Sequence, residues 1–255
     1  MALIKIDNLR EGVFIDRPNR YLANVLIDGE VVVVHVHDPG RLKELLYPQN
    51  KCLVKYVPGD KRKTQWDMIA AQKMGEYVLV HSGYHRYIAE AILKDAGLNP
   101  FGTFSAIKAE AKYGHSRIDF LAQVEKKPDI QHGSHLESTL NDISTSETIW
   151  VEVKGCSLSE DGVAKFPDAP TVRGTRHLEE LMLIKAAGDR AGVLLLVLSD
   201  AELFVPKRDT DPKFYDAFYR ALEQGVEIHP IKVLLKPTGE LEYKGLVPIK
   251  DVENE

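Results

Sequence analysis

The run Gly192-Val193-Leu194-Leu195-Leu196-Val197-Leu198 contains no polar side chain. A strand with one wet face alternates apolar and polar residues, so this one must be covered on both faces. Helices packed on a sheet supply such cover, and the flanking segments fit. Tyr84–Ala96 carries Ile88, Ala91 and Ile92 at helical spacing, with Gly97 as an expected C-cap. Ala106–Lys112 and Ser116–Val124 read as strands joined by a turn at Tyr113-Gly114-His115, and Ile149–Lys154 reads as a third. Leu178, Leu181, Met182 and Lys185 mark a helix, Phe214–Leu222 another, and Val226–Leu235 a last strand. The order helix, three strands, helix, strand, helix, strand predicts an α/β layer on a mixed sheet.

Before residue 80 the pattern changes. Leu22–Ile27 and Glu30–Val36 flank Asp28-Gly29, a hairpin signal, and Lys51–Val57 and Glu76–His81 are further strand-like runs. Leu42–Leu46 is a short apolar piece between turns. Short strands divided by turn chemistry predict a small barrel, and an OB-like barrel fits. The chain therefore reads as α/β (α+β): an OB-like barrel over 1–80 and an α/β domain over 81–255. Glu125–Thr148 is mostly polar and reads as a long surface loop inserted between two strands.

The net charge of -5 excludes a globally basic nucleic-acid footprint, so any such contact must come from local clusters. Cys52 and Cys156 are too few and too far apart for a disulfide framework or a zinc site. No apolar run is long enough to span a bilayer, and the expectation is a cytoplasmic protein with no membrane partner. No glycine-rich phosphate loop marks a small-molecule kinase or nucleotide enzyme.

Two strands carry charge where the surrounding pattern is apolar. In Arg117-Ile118-Asp119-Phe120, period-two geometry sets Arg117 and Asp119 on one face and Ile118 and Phe120 on the other. In Val151-Glu152-Val153-Lys154, Glu152 and Lys154 share a face. Ionic groups on central strands are costly unless paired or metal-bound. Two carboxylates meeting across the sheet would suit Mg²⁺ or Mn²⁺, with Lys154 beside a bound water, and such a site suits phosphodiester hydrolysis. The alternative is a pair of structural ion pairs, Asp119 with Arg117 and Glu152 with Lys154. A further acid is open between Glu90, in an Arg86–Glu90–Lys94 helical stripe, and Glu110, which faces Lys108 and Lys112. His177, with Arg173 and Arg176 near a helix start, is placed to meet a phosphate.

Basic groups beside aromatics mark the expected binding surface. Arg17-Pro18-Asn19-Arg20-Tyr21, Arg41 after a Pro-Gly turn, and Lys61-Arg62-Lys63-Thr64-Gln65-Trp66 carry charges and rings suited to a nucleic-acid backbone.

Those segments also carry a resemblance. Arg17-Pro18-Asn19-Arg20-Tyr21, His35 with Pro39-Gly40-Arg41-Leu42, Lys112-Tyr113-Gly114 with Ser116-Arg117-Ile118-Asp119-Phe120, Val151-Glu152-Val153-Lys154, Phe166-Pro167-Asp168-Ala169, and Arg173-Gly174 with His177-Leu178 resemble the signature of the sugar fermentation stimulation protein A (SfsA) family, in order from about residue 13 to 235. The resemblance implies a DNA-binding protein with an N-terminal OB-like domain and a C-terminal domain like the PD-(D/E)xK nucleases. By it, Asp119, Glu152 and Lys154 match the nuclease triad and Glu90 the helix acid, with Asp119, Glu152 and Glu90 as metal ligands. A non-catalytic regulator of sugar-metabolism genes is the alternative, and a homodimer is a further open partner. Leu241–Glu255 looks longer than the family's pattern.

Overall fold

Asp28 and Gly29 both take positive φ, 51° and 87°, which turns β3 (Leu22–Ile27) directly back into β4 (Glu30–His35). Glycine at the second position removes the steric cost of that left-handed turn. The structure, a computed structural model, describes residues 1–38, 40–114, 116–125 and 147–251. The expected loop over 125–148 therefore lies, between 126 and 146, outside the described residues.

β1 (Ala2–Lys5) pairs far along the chain, and β2 (Leu9–Asn19) bends through register shifts at Phe14/Asp16 and Asp16/Asn19. That bend lets β2 pair with β5 (Lys51–Tyr56) through its first half and with β3 through its second. β5 pairs with β6 (Trp66–Lys73), and β4 closes the ring by a parallel contact, Val34 with Trp66 and His35 with Asp67. The result is the closed five-stranded barrel expected of an OB domain. The sequence reading missed β6. Its run Met68-Ile69-Ala70-Ala71 is buried on both sides, so no period-two alternation betrays it.

β7 (Glu76–Leu79) leaves the barrel and joins the second half of the sheet where Tyr77 pairs with Leu235. There α1 (His85–Lys94) is followed by β8 (Phe104–Tyr113), β9 (Ser116–Val124) and β10 (Glu147–Cys156), an antiparallel set. β11 (Ser159–Glu160), β12 (Val163–Phe166) and the later β14 (Leu203–Pro206) form a small separate sheet. α2 (Val172–Ala186) leads into β13 (Arg190–Val197), and α3 (Pro212–Glu223) leads into β15 (Glu227–Leu235). β10, β13 and β15 run parallel, so the sheet is mixed. β16 (Glu240–Leu246) pairs with β15 and β1, so the start of the C-terminal extension is an integral strand and Leu241 is fully buried.

The apolar run behaves as its composition demands. Leu194, Leu196 and Leu198 enter one core with Ile88, Ala89, Ile92 and Leu93 of α1. Val193, Leu195 and Val197 enter a second core with α2 and α3. Each such aliphatic side chain, fully withdrawn from water, stabilises the fold by roughly 1.5–3 kcal/mol. Two local expectations fail. α1 ends at Lys94 with Asp95 as its cap, and Gly97 instead donates its N–H to Asp95 Oδ1 at 2.9 Å in a following turn. Ile118 and Phe120 fall in different cores, because the regular β9–β10 ladder stops at Phe120–Val151 and β9 diverges beyond it.

Candidate active site and nucleic-acid interface

The divergence of β9 from β10 creates the site. Where the next ladder bond would form, the N–H of Val153 donates to Asp119 Oδ2 at 2.7 Å. A carboxylate thus substitutes for a strand carbonyl and is fixed by the backbone of the neighbouring strand. One residue to either side, Glu152 and Lys154 project together towards α2, and Lys154 Nζ donates to Glu152 Oε1 at 2.5 Å. Glu152 is only 3% exposed.

α2 completes this arrangement from above. Thr171 caps it, its Oγ1 accepting from Gly174 N at 3.0 Å, while Asp211 accepts from Thr171 N at 2.7 Å and from Phe214 N at 3.0 Å. One side chain thereby ties the starts of α2 and α3 together. His177, one turn into α2, is buried and its Nδ1 meets Glu152 Oε1. Arg173 Nε donates to His177 Nε2 at 3.3 Å, so Nε2 accepts and Nδ1 carries the proton. Lys154 Nζ lies 3.1 Å from Nδ1, and with both groups donors they share the same glutamate oxygen. The other oxygen, Oε2, is buried and has no hydrogen-bond partner among the described residues.

The charges differ across the pair. Burial raises the Asp119 carboxyl above its ordinary range, and the Glu152 charge adds to this, against the Val153 hydrogen bond. Burial also pushes Glu152 upward, yet the His177 hydrogen bond and the charge of Lys154 outweigh it and hold Glu152 below its ordinary range. The strand bearing Glu152 and Lys154 is pinned from the opposite face by His85. A Cβ on Gly155 would overlap the His85 ring, so glycine there permits the contact. Burial pushes the His85 imidazole down to about 4, so it is neutral near pH 7.

The sequence expectations meet this geometry unevenly. Asp119 is fixed on the backbone N–H of Val153, between Glu152 and Lys154 on the neighbouring strand, and the Glu152–Lys154 ion pair is real. The alternative partner for Asp119 is not: Arg117 Nη1 pairs with Glu110 at 3.0 Å, a cross-strand contact in which Glu110 ignores Lys108 and Lys112. Glu90 lies on a partly exposed face of α1 and accepts from Lys94 Nζ at 2.6 Å, the helical stripe its spacing allows, and that is its hydrogen bond among the described residues. His177 is no exposed phosphate ligand. It is sealed against Glu152 because the sixth residue of this capped helix turns inward. Arg173, one turn earlier, stays exposed.

The basic residues of the barrel also separate. Arg17 donates from Nη1 to the carbonyls of Gly40 at 2.8 Å and Arg41 at 3.1 Å, and from Nη2 to those of Arg20 at 2.6 Å and Asp38 at 2.9 Å. Its guanidinium is spent on the fold, which corrects its expected role against a phosphate. The same loop is held by Asp168, which accepts from Arg41 N at 3.0 Å and links the barrel to the segment after β12. Asn19, Tyr21, His35, His37, Arg62 and Lys63 line one cleft of about 510 Å³. Arg20 lies over the Tyr21 ring at 5.9 Å, and Arg41, Lys61 and Lys63 are exposed. Arg62 meets the carboxylate of Asp67.

Asp67 was not anticipated, nor its neighbours His37 and His81, which come from three separate segments. Their possible ligand atoms lie within 4.8 Å of one another, close enough for the three to hold a metal ion. Burial raises the Asp67 carboxyl, but the imidazoles of His37 and His81 and the guanidinium of Arg62 hold it far below the carboxylate range. The one signal available in sequence was an acid abutting the apolar run of β6. Cys52 and Cys156 are both buried, and burial pushes each thiol up to about 12. No helix among the described residues is long and apolar enough to cross a membrane.

Comparison with known proteins places this architecture. Residues 15–80 match the SfsA N-terminal OB domain, and residues 83–239 match the sugar fermentation stimulation protein RE domain. A sugar fermentation stimulation protein homolog of Thermosipho melanesiensis is 46% identical over 231 residues, 91% of this chain and 90% of the relative. A homolog of Methanosphaera stadtmanae is 41% identical over 233 residues, 89% of this chain and 88% of the relative. The solved structure of Pyrococcus furiosus SfsA in complex with Ca²⁺ superposes with a TM-score of 0.83 at 25% identity, covering 98% of this chain and 100% of that one. The chain belongs to the sugar fermentation stimulation protein family.

Proposed function

We propose that this protein binds nucleic acid, DNA foremost, along its barrel and cleaves a phosphodiester at the Asp119–Glu152–Lys154 centre with Mg²⁺ or Mn²⁺. The observation that carries the reading is Oε2 of Glu152, buried and without a hydrogen-bond partner among the described residues, on a carboxylate whose charge acts on the backbone-fixed Asp119. An orphaned buried oxygen is costly, and a hard divalent ion satisfies it with the oxygen chemistry such ions prefer. The residues present therefore fit the group, and the Ca²⁺ in the Pyrococcus furiosus structure is of the same hard, oxygen-seeking class.

Asp119 and Glu152 would hold the ion, which would polarise the phosphodiester and acidify a bound water. Val153 N–H fixes the aim of Asp119, and His177 fixes Glu152 by engaging Oε1 so that Oε2 is left for the ligand. Lys154 holds its amino group at the edge of the site, where it would donate a hydrogen bond that orients the attacking water and would balance charge on the phosphorane-like transition state. Glu90 joins only through water, because its own partner is Lys94. Arg20, Arg41, Lys61, Lys63 and Arg173 offer exposed cations, with Asn19 and Tyr21 in the cleft for a base or sugar.

The test is direct. Purified protein with Mg²⁺ or Mn²⁺ should nick DNA or RNA, and Lys154→Ala should remove nicking while binding persists. If wild-type protein binds but leaves single-stranded, duplex and branched substrates intact, the regulator reading replaces this one.

A further inference from the structure

A second, chemically different centre sits in the barrel. His37 lies two residues past β4, Asp67 on β6, and His81 two residues past β7. His37 Nε2 is 3.3 Å from Asp67 Oδ1 and His81 Nε2 is 3.9 Å from Asp67 Oδ2. The three possible ligand atoms lie within 4.8 Å of one another. The His37 and His81 rings stack at 3.7 Å with 24° between planes, so two imidazole edges reach the same carboxylate side by side. His37 Nε2 is withdrawn from water and, though 3.3 Å from Asp67 Oδ1, is not aligned to hydrogen-bond with it.

We propose that His37, Asp67 and His81 bind a borderline divalent cation of the Zn²⁺ class, separate from the carboxylate centre. Zinc takes nitrogen and carboxylate ligands at about 2.0–2.2 Å, which in a tetrahedron spaces ligand atoms roughly 3.3–3.6 Å apart. The 3.3 Å and 3.9 Å separations require only small side-chain adjustments to reach that spacing. Two imidazoles and one carboxylate are a poor set for Ca²⁺ or Mg²⁺, which want six or more oxygens, and a good set for zinc, cobalt or nickel. Arg62 is the competing cation. Its guanidinium holds Asp67 Oδ1, one of the oxygens an ion would take, and the same side chain lines the cleft with Lys63 and Tyr21. Cation binding releases Arg62 from the carboxylate towards that cleft. His37 also lines the cleft, so the fourth ligand is a water or a substrate atom entering from there.

This proposal stands apart from the phosphodiesterase reading, and its test separates them. Chelator-stripped protein is titrated with Co²⁺, read by its visible spectrum, and with Zn²⁺, read by calorimetry. One equivalent of Co²⁺ should give the intense bands of a low-symmetry site, bleached by Zn²⁺. His37→Ala with His81→Ala should lower Zn²⁺ affinity by about 100-fold or more, beyond the ten- to hundredfold lost when a group that only orients a ligand is removed. Arg62→Ala should bind Zn²⁺ more tightly, and Asp119→Asn with Glu152→Gln should bind it as wild type does. The proposal is overturned if no such spectrum forms, if binding survives the double histidine change, or if it vanishes with the Asp119 and Glu152 changes. Should the histidine variant fail to fold, imidazole ¹⁵N spectra of the Asp119→Asn, Glu152→Gln protein decide. Two histidines must shift on Zn²⁺ addition, and an unchanged spectrum rejects the site.

Discussion

Glu152 and Asp67 are two carboxylates nearly sealed from water, 3% and 4% exposed, and their surroundings differ in kind. Glu152 is neutralised by Lys154 from two residues along its own strand and oriented by one imidazole, and it keeps an oxygen without a hydrogen-bond partner among the described residues while its charge acts on Asp119. Asp67 is neutralised by a guanidinium from a turn and flanked by two imidazoles from other segments. A buried acid alone therefore does not identify a site. The donors gathered around it select a hard cation in one case and a borderline one in the other.

The largest effect that tests this contrast is at Lys154. Lys154→Ala should reduce cleavage by about 10²–10³-fold, the range for removing one donor that stabilises transition-state charge, with gel-shift affinity nearly unchanged. Equal loss of both would make Lys154 a binding residue and erase the distinction between the centres.

Next comes Asp67→Asn. It strands Arg62 and the imidazoles and should cost about 2–3 kcal/mol in urea unfolding, below the ~3–5 kcal/mol of a fully buried pair because Arg62 is 30% exposed. Its sign with pH follows from the depressed Asp67 carboxyl. Stability from this group is present above the unfolded carboxylate range and is lost as pH falls through the lower folded value. Asp67→Asn should flatten that acid limb. Asp119, whose carboxyl is raised, works the opposite way and loses stability as pH rises through its titration. Asp119→Asn should therefore stabilise the protein near neutrality, and a destabilised variant would refute the raised value.

Gly155→Ala should cost about 1–3 kcal/mol of overpacking, because the new methyl overlaps His85. It should also depress cleavage, since Lys154 is its neighbour, while leaving the Asp67 cluster unaffected. A further effect is at His85 itself. Its imidazole titrates near 4 when folded against 6.5 unfolded, so stability is lost as pH falls from about 6.5 towards 4. His85→Gln should remove that slope in denaturation curves taken across the interval.

The same contrast explains what the sequence disclosed. Glu152 and Lys154 were legible because a strand's period of two fixes their common face without knowledge of the rest of the fold. Gly192–Leu198 disclosed its doubly covered strand for a similar reason. Asp67, His37 and His81 meet only after β4 closes against β6, a long-range event with no local period, and β6 itself hid behind an unbroken apolar run. Arg17 misled in the other direction. A basic residue beside an aromatic resembles a phosphate contact, and only the folded Gly40–Arg41 loop reveals the four carbonyls that consume it. His177 lay between these cases: its helix was visible, its inward rotation onto Glu152 was not.

The most direct measurement is anomalous diffraction from crystals soaked in Mn²⁺. A peak within coordination distance of Asp119 and Glu152 Oε2, lost in Glu152→Gln, is the result this account predicts. Clear density for both carboxylates with Glu152 Oε2 bound only to protein or water, and no anomalous signal between them, would contradict it.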